Sequence, residues 1–493
     1  MKKLQIVGAG IAGLSAGIYA LQSGFDVTIY ESHQIPGGAS TSWRRNGYLF
    51  EGGMHWLTGS SEKVPLNKLW HEVGALNDHV KVIYRDPFFT FEHKGQTAYL
   101  YRDLKRLKRH FLEISPEDKN EITLLCRDLE KFKSVSMPIT DIKDVKVRHK
   151  NSVSFMTLFK MMPAMPRMSY YSDLTAKTYS ERYKSPLLRL LFQSIVGSET
   201  NAIGLLFTLS SLMSGDGGYP EGGSLGMADR MAKYFEKLGG CIQYDKFVSK
   251  VIVENGSARG VIIDGKKIPA DAVIIAQDTL SAIDSLFDKP LCESWAVDMR
   301  KNTIPMLDTF ISLGIEADLS DQPESMFFTL DKPLICAGVP ESAIGFNNYA
   351  SFHDYAPDGC SAVTTVIMGD SYDFWKKCLE NGTYESEKQR LAEDFIKILS
   401  DKIPKIRGKV AVWDVATPLT YERYLHSYKG SWMSVKNNIR PMSYPSKPES
   451  INNIYFAGQR LMTPGGLTAA LTTGRTAVQF LCKDTDTVFQ GSI

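Results

Sequence analysis

The sequence predicts an α/β fold in which separate stretches of the chain assemble one parallel sheet and an α+β region is interleaved with it. Two glycine-rich turns indicate this fold. Each follows a short apolar strand and opens a helix, one at the N-terminus and one near the C-terminus. The third observation is the length of 493 residues, which is too long for one small core and favours two or more domains.

The first 31 residues have the pattern of a complete βαβ unit. Residues 4–7 (LQIV) predict a buried strand, residues 8–13 (GAGIAG) follow at once, and apolar residues then recur at helical spacing. Residues 25–30 predict a second strand, which Glu31 closes. Because a strand, a helix, a second strand and an acid are all in place, this turn is more than a glycine-rich connection.

The glycines and the acid of this unit each have a physical reason. Gly8 permits the tight turn, Gly10 lets a pyrophosphate approach the backbone, and Gly13 lets the helix pack closely on the sheet. The helix N-terminus offers free N–H groups and a partial positive charge to phosphates. Glu31 can accept hydrogen bonds from an adenosine ribose, and its charge would repel a 2′-phosphate. The unit therefore predicts a dinucleotide site.

Two further clusters favour FAD over NAD. Gly37 and Gly38 lie just past the second strand, where so small a loop can approach the dinucleotide again. Residues 454–458 (IYFAG) predict a strand that ends in glycine, and residues 464–467 (PGGL) open a terminal helix whose N-terminus suits a flavin. The alternative is that this helix merely packs on the sheet.

Composition argues against several classes of function. Lys+Arg 57 against Asp+Glu 55 leaves a formal charge of +2, which gives no reason to expect nucleic acid as a partner. The 7 cysteines include no CxxC and the 9 histidines include no HxxxH, so we predict neither a disulfide framework nor a metal site. A reducing cytoplasm is the expected location. No apolar run approaches the roughly 20 residues that a membrane span needs.

Motifs that run almost from end to end identify a family. In chain order they are residues 8–13, Glu31, residues 37–38, 50–53 (FEGG), 218–224 (GYPEGGS), 239–240, 260–261, 417–418, 423–424, 430–431 and 457–467. With these motifs the chain resembles the phytoene desaturase group of flavoproteins, which includes carotenoid desaturases, carotenoid isomerases and retinol saturases. The resemblance implies a Rossmann-type FAD-binding domain of the glutathione reductase and amine oxidase kind, with non-covalent FAD. It also implies hydride transfer at a carbon–carbon bond of a large apolar substrate.

This chain departs from the family's pattern at a few positions. Residues 39–41 (AST) follow Gly38 where many relatives carry a basic residue, and Glu51 stands where Asp is usual. Gln459 replaces the acidic or small residue often found there, and residues 53–56 (GMHW) look more like the retinol saturase branch. Desaturation, saturation and isomerisation of polyene, isoprenoid, retinoid or lipid substrates therefore all stay open.

The expected cofactor contacts come from the glycine motifs and the segments that follow them. They are Gly8, Gly10, Ile11, Ala12, Gly13, Glu31, Gly38, Ala39, Ser40, Gly53, Met54, His55, Val248, Gly458, Gly466 and Leu467.

Proton transfer needs a side chain, since the flavin handles only the hydride. His55 is the first candidate, because an imidazole titrates near neutrality and the preceding glycines should bring it near the flavin. A hydrogen bond from His55 to the flavin or backbone is the alternative. Tyr219 is the second candidate.

The motifs also predict a domain plan. Residues 1–65, 210–290 and 440–493 should build the FAD domain, residues 66–209 a mainly helical cap, and residues 291–439 a substrate domain of strands and helices. Residues 309–315 and 362–368 are predicted strands, and residues 384–399 a helix.

A methionine-rich stretch, residues 155–168, is the expected apolar wall of the substrate cavity. Methionine suits long or irregular ligands, and Met161, Met162 and Met165 are the candidate contacts. An ordinary core is the alternative. A third possibility is that this stretch lies at a membrane surface, with the basic run at residues 104–110 (LKRLKRH) contacting the inner face of the membrane. The alternative for the basic run is a solvated helix face.

Two other functions share such a fold. A flavin amine oxidase usually shows an aromatic pair around the flavin and a lysine near its N5 atom, and neither is evident in the C-terminal motif. A non-enzymatic escort protein that lost its cofactor would not need Gly8, Gly10, Gly13 and Glu31 intact.

Overall fold

The computed structural model describes residues 1–133, 135, 139–148, 162, 164–436, 442–463 and 465–491. Strands and helices alternate around a central parallel sheet, which confirms the predicted α/β fold. The α-helices span Ile11–Gln22, Leu66–Glu72, Leu104–Ile114, Lys119–Phe132, Met165–Ser172, Ala176–Ser180, Pro186–Val196, Ala202–Met213, Gly223–Lys237, Thr279–Ser285, Ser294–Asn302, Tyr372–Glu380, Tyr384–Lys402, Pro418–Leu425 and Leu467–Asp484. Short 3₁₀ turns span Pro116–Asp118, Pro404–Ile406, Tyr428–Gly430 and Gln459–Leu461.

The parallel sheet draws strands from three distant stretches of the chain. In spatial order it contains Ile454–Phe456, Ala272–Ile275, Lys3–Val7, Asp26–Tyr30 and Cys241–Gln243. Residues 1–65, 210–290 and 440–493 each contribute at least one of these strands.

Side chains alternate between the two faces of this sheet, because successive residues of a strand point to opposite sides. Ile6 and Ile274 pack under helices Ile11–Gln22, Gly223–Lys237 and Leu467–Asp484. On the other face, Val273 and Ile275 pack against an antiparallel sheet. That sheet contains Val248–Glu254, Ser257–Ile263 and Lys266–Pro269. The parallel strands are therefore buried on both faces.

A large mixed sheet forms the second layer of the molecule. Its strands, in spatial order, are Val410–Ala416, Asp308–Ile315, Ser361–Met368, Val339–Asn348, Ser325–Cys336, Phe89–His93 and Gln96–Leu100. The predicted strands at residues 309–315 and 362–368 and the predicted helix at residues 384–399 correspond to Asp308–Ile315, Ser361–Met368 and Tyr384–Lys402. Residues 66–209 are mainly helical, but they also supply the last two strands of this sheet.

Four two-stranded ladders connect these layers. They pair Ser42–Arg45 with Tyr48–Glu51, Val82–Ile83 with Tyr219–Pro220, Thr303–Met306 with Met433–Lys436, and Met442–Ser443 with Met462–Thr463. Two of the ladders join residues more than 100 positions apart, and the other two lie beside the glycine segments of the N- and C-terminal motifs.

Candidate functional site

The carboxyl ends of the parallel strands meet at one edge of the sheet. Gly8 follows the first strand, and a Cβ placed on it would lie 3.4 Å from the Gln277 backbone nitrogen, just past another strand. Gly458 follows the strand Ile454–Phe456, and a Cβ there would lie 3.7 Å from Thr279 Oγ1. Ligands of open α/β sheets bind at such a crevice.

The Gly8–Gly13 turn has the geometry that the sequence predicts. Gly8 has φ of +100°, and any Cβ on Gly13 would overlap the Gly8 carbonyl oxygen. Helix Ile11–Gln22 begins at Ile11 without a side-chain cap, and its first backbone bond runs from the Leu14 N–H to the Gly10 carbonyl. The N–H groups of its first turn are therefore available to phosphate oxygens.

Glu31 lies next to this turn and is 7% exposed. Its Oε2 accepts a hydrogen bond of 2.7 Å from the Ala9 N–H, and its Oε1 accepts one of 2.9 Å from the His33 N–H. A carboxylate has about four acceptor positions, so a ribose hydroxyl can still bind. The carboxylate both holds the turn and remains suited to the ribose.

Val248 lies on the same side of the molecule as Glu31. The Lys246 N–H donates to the Glu31 carbonyl at 2.8 Å, and Val248 opens the next strand two residues later, 2% exposed. This position agrees with the expected contact between its backbone and an adenine, which stays a prediction.

The second glycine loop lies directly against the first. The Gly37 N–H donates to the Ala9 carbonyl at 2.9 Å, and a Cβ on Gly10 would lie 3.8 Å from the Gly37 carbonyl oxygen. In the following residues, the buried hydroxyl of Ser40 has no hydrogen-bond partner within the described part of the chain, and neither has that of Ser224. Buried hydroxyls without partners are rare, so a polar ligand at this loop would satisfy them.

Gly53 lies at the point where these segments converge. A Cβ on Gly53 would come within 2.7 Å of both the Ala39 carbonyl oxygen and Ser224 Oγ. Met54 is buried, whereas His55 is exposed. The structure thus brings together the predicted residues Ala39, Ser40 and Gly53 through close backbone packing.

Glu51 organises this corner, and sequence reasoning missed that role. Its Oε1 accepts bonds from the backbone N–H groups of Gly53, at 2.9 Å, and Met54, at 3.0 Å. Its Oε2 accepts bonds from the Ser224 N–H, at 2.9 Å, and the Tyr219 hydroxyl, at 2.5 Å. The acid in the FEGG motif was the available signal, because a buried carboxylate needs several donors.

Tyr219 is therefore engaged inside the protein. Its hydroxyl bonds Glu51 and lies 2.6 Å from the Tyr355 hydroxyl, and its side chain is 2% exposed. Burial and the neighbouring Glu51 carboxylate raise the pKa of Tyr219 well above its usual value. This geometry suits a residue that positions Glu51, and it gives Tyr219 no open face toward a substrate.

His55 combines an exposed side chain with a desolvated position. Burial within the surrounding protein lowers the pKa of His55, the Glu51 carboxylate raises it, and the Arg85 guanidinium lowers it. The imidazole is nevertheless exposed to solvent in the structure. A neutral imidazole in such a place can accept a proton or a hydrogen bond.

The C-terminal segment presents a second helix N-terminus. Helix Leu467–Asp484 starts after Gly466 with no side-chain cap, and nothing lies within 4 Å of a Cβ placed on Gly466. The Gly466 N–H donates to Gln459 Oε1 at 3.1 Å, and the Gly458 N–H donates to Thr473 Oγ1 at 3.0 Å. Pro464 lies outside the described residues.

Two of the predicted methionine contacts lie among the described residues, and both have exposed side chains. Met162 and Met165 are 58% and 59% exposed. Met161 and most of the methionine-rich stretch lie outside the described residues. Their contact with a substrate stays a prediction.

Two negative findings apply to the residues that the structure describes. They contain no group of three or more histidine, cysteine or acidic side chains placed to hold a metal ion. In the same residues, no helix is both long enough and apolar enough to cross a membrane.

These features fit a flavin dinucleotide. Two helices that pack against each other have uncapped N-termini, the buried hydroxyls of Ser40 and Ser224 lack partners among the described residues, and Gly466 leaves open space beside its helix. Anionic and polar groups of a dinucleotide would satisfy these donors.

Comparisons with known proteins agree with this geometry. The profile of the family described as "Flavin containing amine oxidoreductase" matches residues 11–482. A carrot (Daucus carota) protein named prolycopene isomerase is 25% identical over 488 residues, which are 95% of this chain and 78% of that protein. A Methylomonas sp protein named 4,4'-diapophytoene desaturase is 23% identical over 502 residues, which are 97% of this chain and 95% of that protein.

Solved structures share the fold. An oxidoreductase from Methanosarcina mazei has a TM-score of 0.60 and 17% identity, and the match covers 97% of this chain and 100% of that one. A putrescine oxidase bound to putrescine has a TM-score of 0.64 and 15% identity, with coverage of 98% and 99%.

Proposed function

Because the chain belongs to the flavin containing amine oxidoreductase family, we propose that it binds FAD non-covalently and acts on carbon–carbon bonds of a large apolar substrate. The reaction is desaturation, saturation or isomerisation of C=C bonds. The names of the carrot and Methylomonas relatives, a prolycopene isomerase and a diapophytoene desaturase, support a polyene as the substrate class. Both relatives match this chain over nearly its whole length.

The observation that best supports FAD is the pair of uncapped N-termini on two helices that pack directly against each other. Helix Ile11–Gln22 would hold the pyrophosphate, and helix Leu467–Asp484 would face the flavin. Glu31 would bind the ribose, and the unpartnered Ser40 hydroxyl would bind a polar edge of the cofactor.

When bound, the flavin supplies hydride transfer at its N5 atom. The protein must orient the substrate, exclude water and move a proton. His55 follows Gly53 by two residues and has an exposed side chain, which would either exchange a proton or hydrogen-bond the cofactor. Tyr219 would act through Glu51, whose carboxylate holds the backbone of Gly53 and Met54.

An aromatic path next to His55 supports an apolar substrate. Trp56 packs against Phe88 with ring centroids 5.5 Å apart, and Phe89 packs against Phe327 of the large sheet with centroids 5.2 Å apart. Trp56, Phe327 and Met168 all pack against the same helical core. We propose that a polyene lies along these rings, and that Met162 and Met165 contact it at the surface end.

Two measurements test the proposal. The purified protein should be yellow and should release FAD on denaturation. After anaerobic reduction of its flavin, rapid mixing with polyenes, retinoids and unsaturated lipids should reoxidise it. A colourless protein would contradict the assignment of FAD. If none of these compounds reoxidises the reduced flavin, saturation is excluded as the reaction.

Amine oxidation is the second candidate, since the solved neighbours include a putrescine oxidase of the same fold. Oxidised enzyme should be mixed anaerobically with putrescine and cyclic amines beside unsaturated and saturated apolar compounds. Flavin reduction by the amines alone would establish the second candidate and exclude desaturation.

A further inference from the structure

A buried carboxyl group lies on the large sheet and plays no part in the interactions described so far. Asp308 opens strand Asp308–Ile315 and is 5% exposed. The Tyr421 hydroxyl hydrogen-bonds this carboxyl, but its Oδ1 has no hydrogen-bond partner among the described residues. An incompletely paired carboxyl is costly to bury, so its place in the fold requires a reason.

The neighbours of Asp308 lead to both segments expected at the flavin. Two residues before it, Met306 pairs with Met433, whose Cγ would lie 3.2 Å from a Cβ on Gly465. Two residues after it, the Phe310 ring packs on Trp43 with centroids 5.8 Å apart.

Both ends of this route are anchored in the candidate site. The Trp43 ring covers Gly52, which leads directly to Gly53 and His55. On the other side, the Gln459 amide donates to the Trp432 carbonyl at 2.5 Å and accepts a bond from the Gly466 N–H at 3.1 Å. Two residues of extended chain span about 7 Å. Asp308 therefore lies between the His55 turn and the N-terminus of the C-terminal helix.

The side-chain direction of Asp308 follows from the strand. Phe310 faces the Trp43 hairpin, and residues two apart in a strand share a face, so the Asp308 carboxyl points to the nucleotide-binding side of the large sheet. Asp308 pairs with Met368 on the adjacent strand Ser361–Met368. On the other adjacent strand, Val410–Ala416, Phe310 pairs with Ala416. Neither Met368 nor Ala416 carries a charge.

We propose that Asp308 exchanges the proton that accompanies hydride transfer through its unpartnered oxygen, and that Tyr421 positions the carboxyl. This inference rests on the proposed function. In desaturation, the C–H bond next to the hydride-donating carbon breaks and its electron pair becomes the second bond of the new C=C. The released proton would form an O–H bond with the Asp308 carboxylate, and the hydride would pass to the oxidised flavin of the proposed function. Saturation runs through the same steps in reverse.

The ionisation of Asp308 suits this role. Burial raises the pKa of Asp308 to about 7, against which the Tyr421 hydrogen bond acts to lower it. Both protonation states are then present near neutral pH, as an efficient general acid–base group requires. His55 would keep the cofactor-contact role, on the nucleotide side of the substrate.

The first test compares half-reaction rates in three single variants. Asp308→Asn should keep its flavin content and spectrum but slow anaerobic flavin reduction or reoxidation by about 10²–10⁴-fold. Ser312 lies four residues after Asp308 on the same face of the strand. Ser312→Ala removes its buried hydroxyl and should react like the wild type. A normal rate in D308N would overturn the proposal. A loss of rate in His55→Phe alone would assign the proton transfer to His55.

Tyr421→Phe keeps the test decisive if D308N does not fold. Loss of the positioning hydroxyl should slow the half-reaction and leave the flavin bound, whereas an unchanged rate would overturn the positioning role. If the wild type reacts with amines and not with polyenes, the proposed function fails, but the same comparison on the amine still decides whether Asp308 exchanges a proton.

The second test needs no substrate. A carboxyl whose pKa is raised in the folded state stabilises the fold below its unfolded pKa, and this contribution is lost as the pH rises through the folded value. The Tm of D308N relative to wild type should therefore be higher at pH 8 than at pH 5, while S312A shows no such trend. A difference that does not change with pH would show that Asp308 is not a buried titrating group.

Discussion

At the scale of single residues, Gly10 and Gly13 differ in what a side chain would meet. A Cβ on Gly10 would make ordinary contacts of 3.8–3.9 Å with Gly37 and Gly38, whereas one on Gly13 would overlap the Gly8 carbonyl oxygen. Gly10 thus leaves room that the protein itself does not use, and Gly13 is needed for the turn to pack.

This difference gives the first prediction. Gly10→Val should fold with a Tm close to that of the flavin-free wild type and lose its flavin, because the side chain blocks the approach of the pyrophosphate. Gly13→Ala should lower the Tm itself. Flavin content by absorbance and Tm by calorimetry separate the two effects, and full flavin in G10V would contradict the cofactor site.

Glu31 gives the second prediction at this scale. Glu31→Ala removes the acceptor of the Ala9 and His33 N–H groups and of a ribose hydroxyl, so it should weaken FAD binding by about 1–3 kcal/mol. Glu31→Gln keeps one acceptor oxygen and should lose less. Titration of the flavin-free protein with FAD measures both, and an unchanged Kd in E31A would place the ribose elsewhere.

At the scale of elements, two helices cross at a glycine. A Cβ on Gly474 in helix Leu467–Asp484 would lie 2.5 Å from the Ala12 carbonyl oxygen and 2.9 Å from Ser15 Cβ in helix Ile11–Gln22. The Ser15 hydroxyl donates to the Leu471 carbonyl at 2.8 Å across the same contact. This close crossing fixes the relative positions of the two helix N-termini proposed to bind FAD.

Widening the crossing should affect stability and cofactor binding together. Gly474→Val should destabilise the protein by about 1–3 kcal/mol through overpacking and should also raise the Kd for FAD. Gly204→Ala is the matched control, because Gly204 lies in helix Ala202–Met213 and its Cβ would meet nothing closer than 3.9 Å. That variant should gain up to about 1 kcal/mol. Equal effects of both variants in denaturant unfolding would argue against a special role for the crossing.

At the scale of the whole molecule, charge is distributed unevenly around a surface cavity. Lys105, Lys108 and Arg109 of helix Leu104–Ile114 line it together with Leu112 and Glu113, and its volume is about 410 Å³. Leu107 and Phe111 of the same helix are buried in the helical core. The helix therefore uses its apolar face for the fold and leaves its basic face to solvent.

A basic face of this kind should attract anionic lipid. Lys105→Glu with Arg109→Glu should reduce binding to phosphatidylserine vesicles by about 1 kcal/mol or more for each residue, and added salt should reduce wild-type binding. The exposed pair Lys266→Glu with Lys267→Glu is the charge-matched control. Vesicle sedimentation measures the binding of the wild type and of both double variants. If Lys105→Glu with Arg109→Glu binds as well as the wild type, the basic face does not bind lipid and is only a solvated surface.

Local sequence patterns were enough to predict the glycine turns and the helices that they open. Each glycine motif and the helix that it opens lie within a few residues of one another, so local spacing predicts the turn, the helix start and the anion site. The sequence also determined the fold class, because alternating strand and helix patterns limit the chain to a few architectures.

Tertiary structure decided what depends on distant contacts. Glu51 meets Ser224 and Tyr219 across more than 160 positions, and Tyr421 reaches Asp308 across more than 100. No local pattern distinguishes a buried Asp from a solvated one, because the pKa of a carboxyl depends on desolvation by segments far away in the chain. The sequence by itself therefore determined the glycine turns and helix starts at which a dinucleotide is expected, and only the packing of distant segments decided which acids are buried.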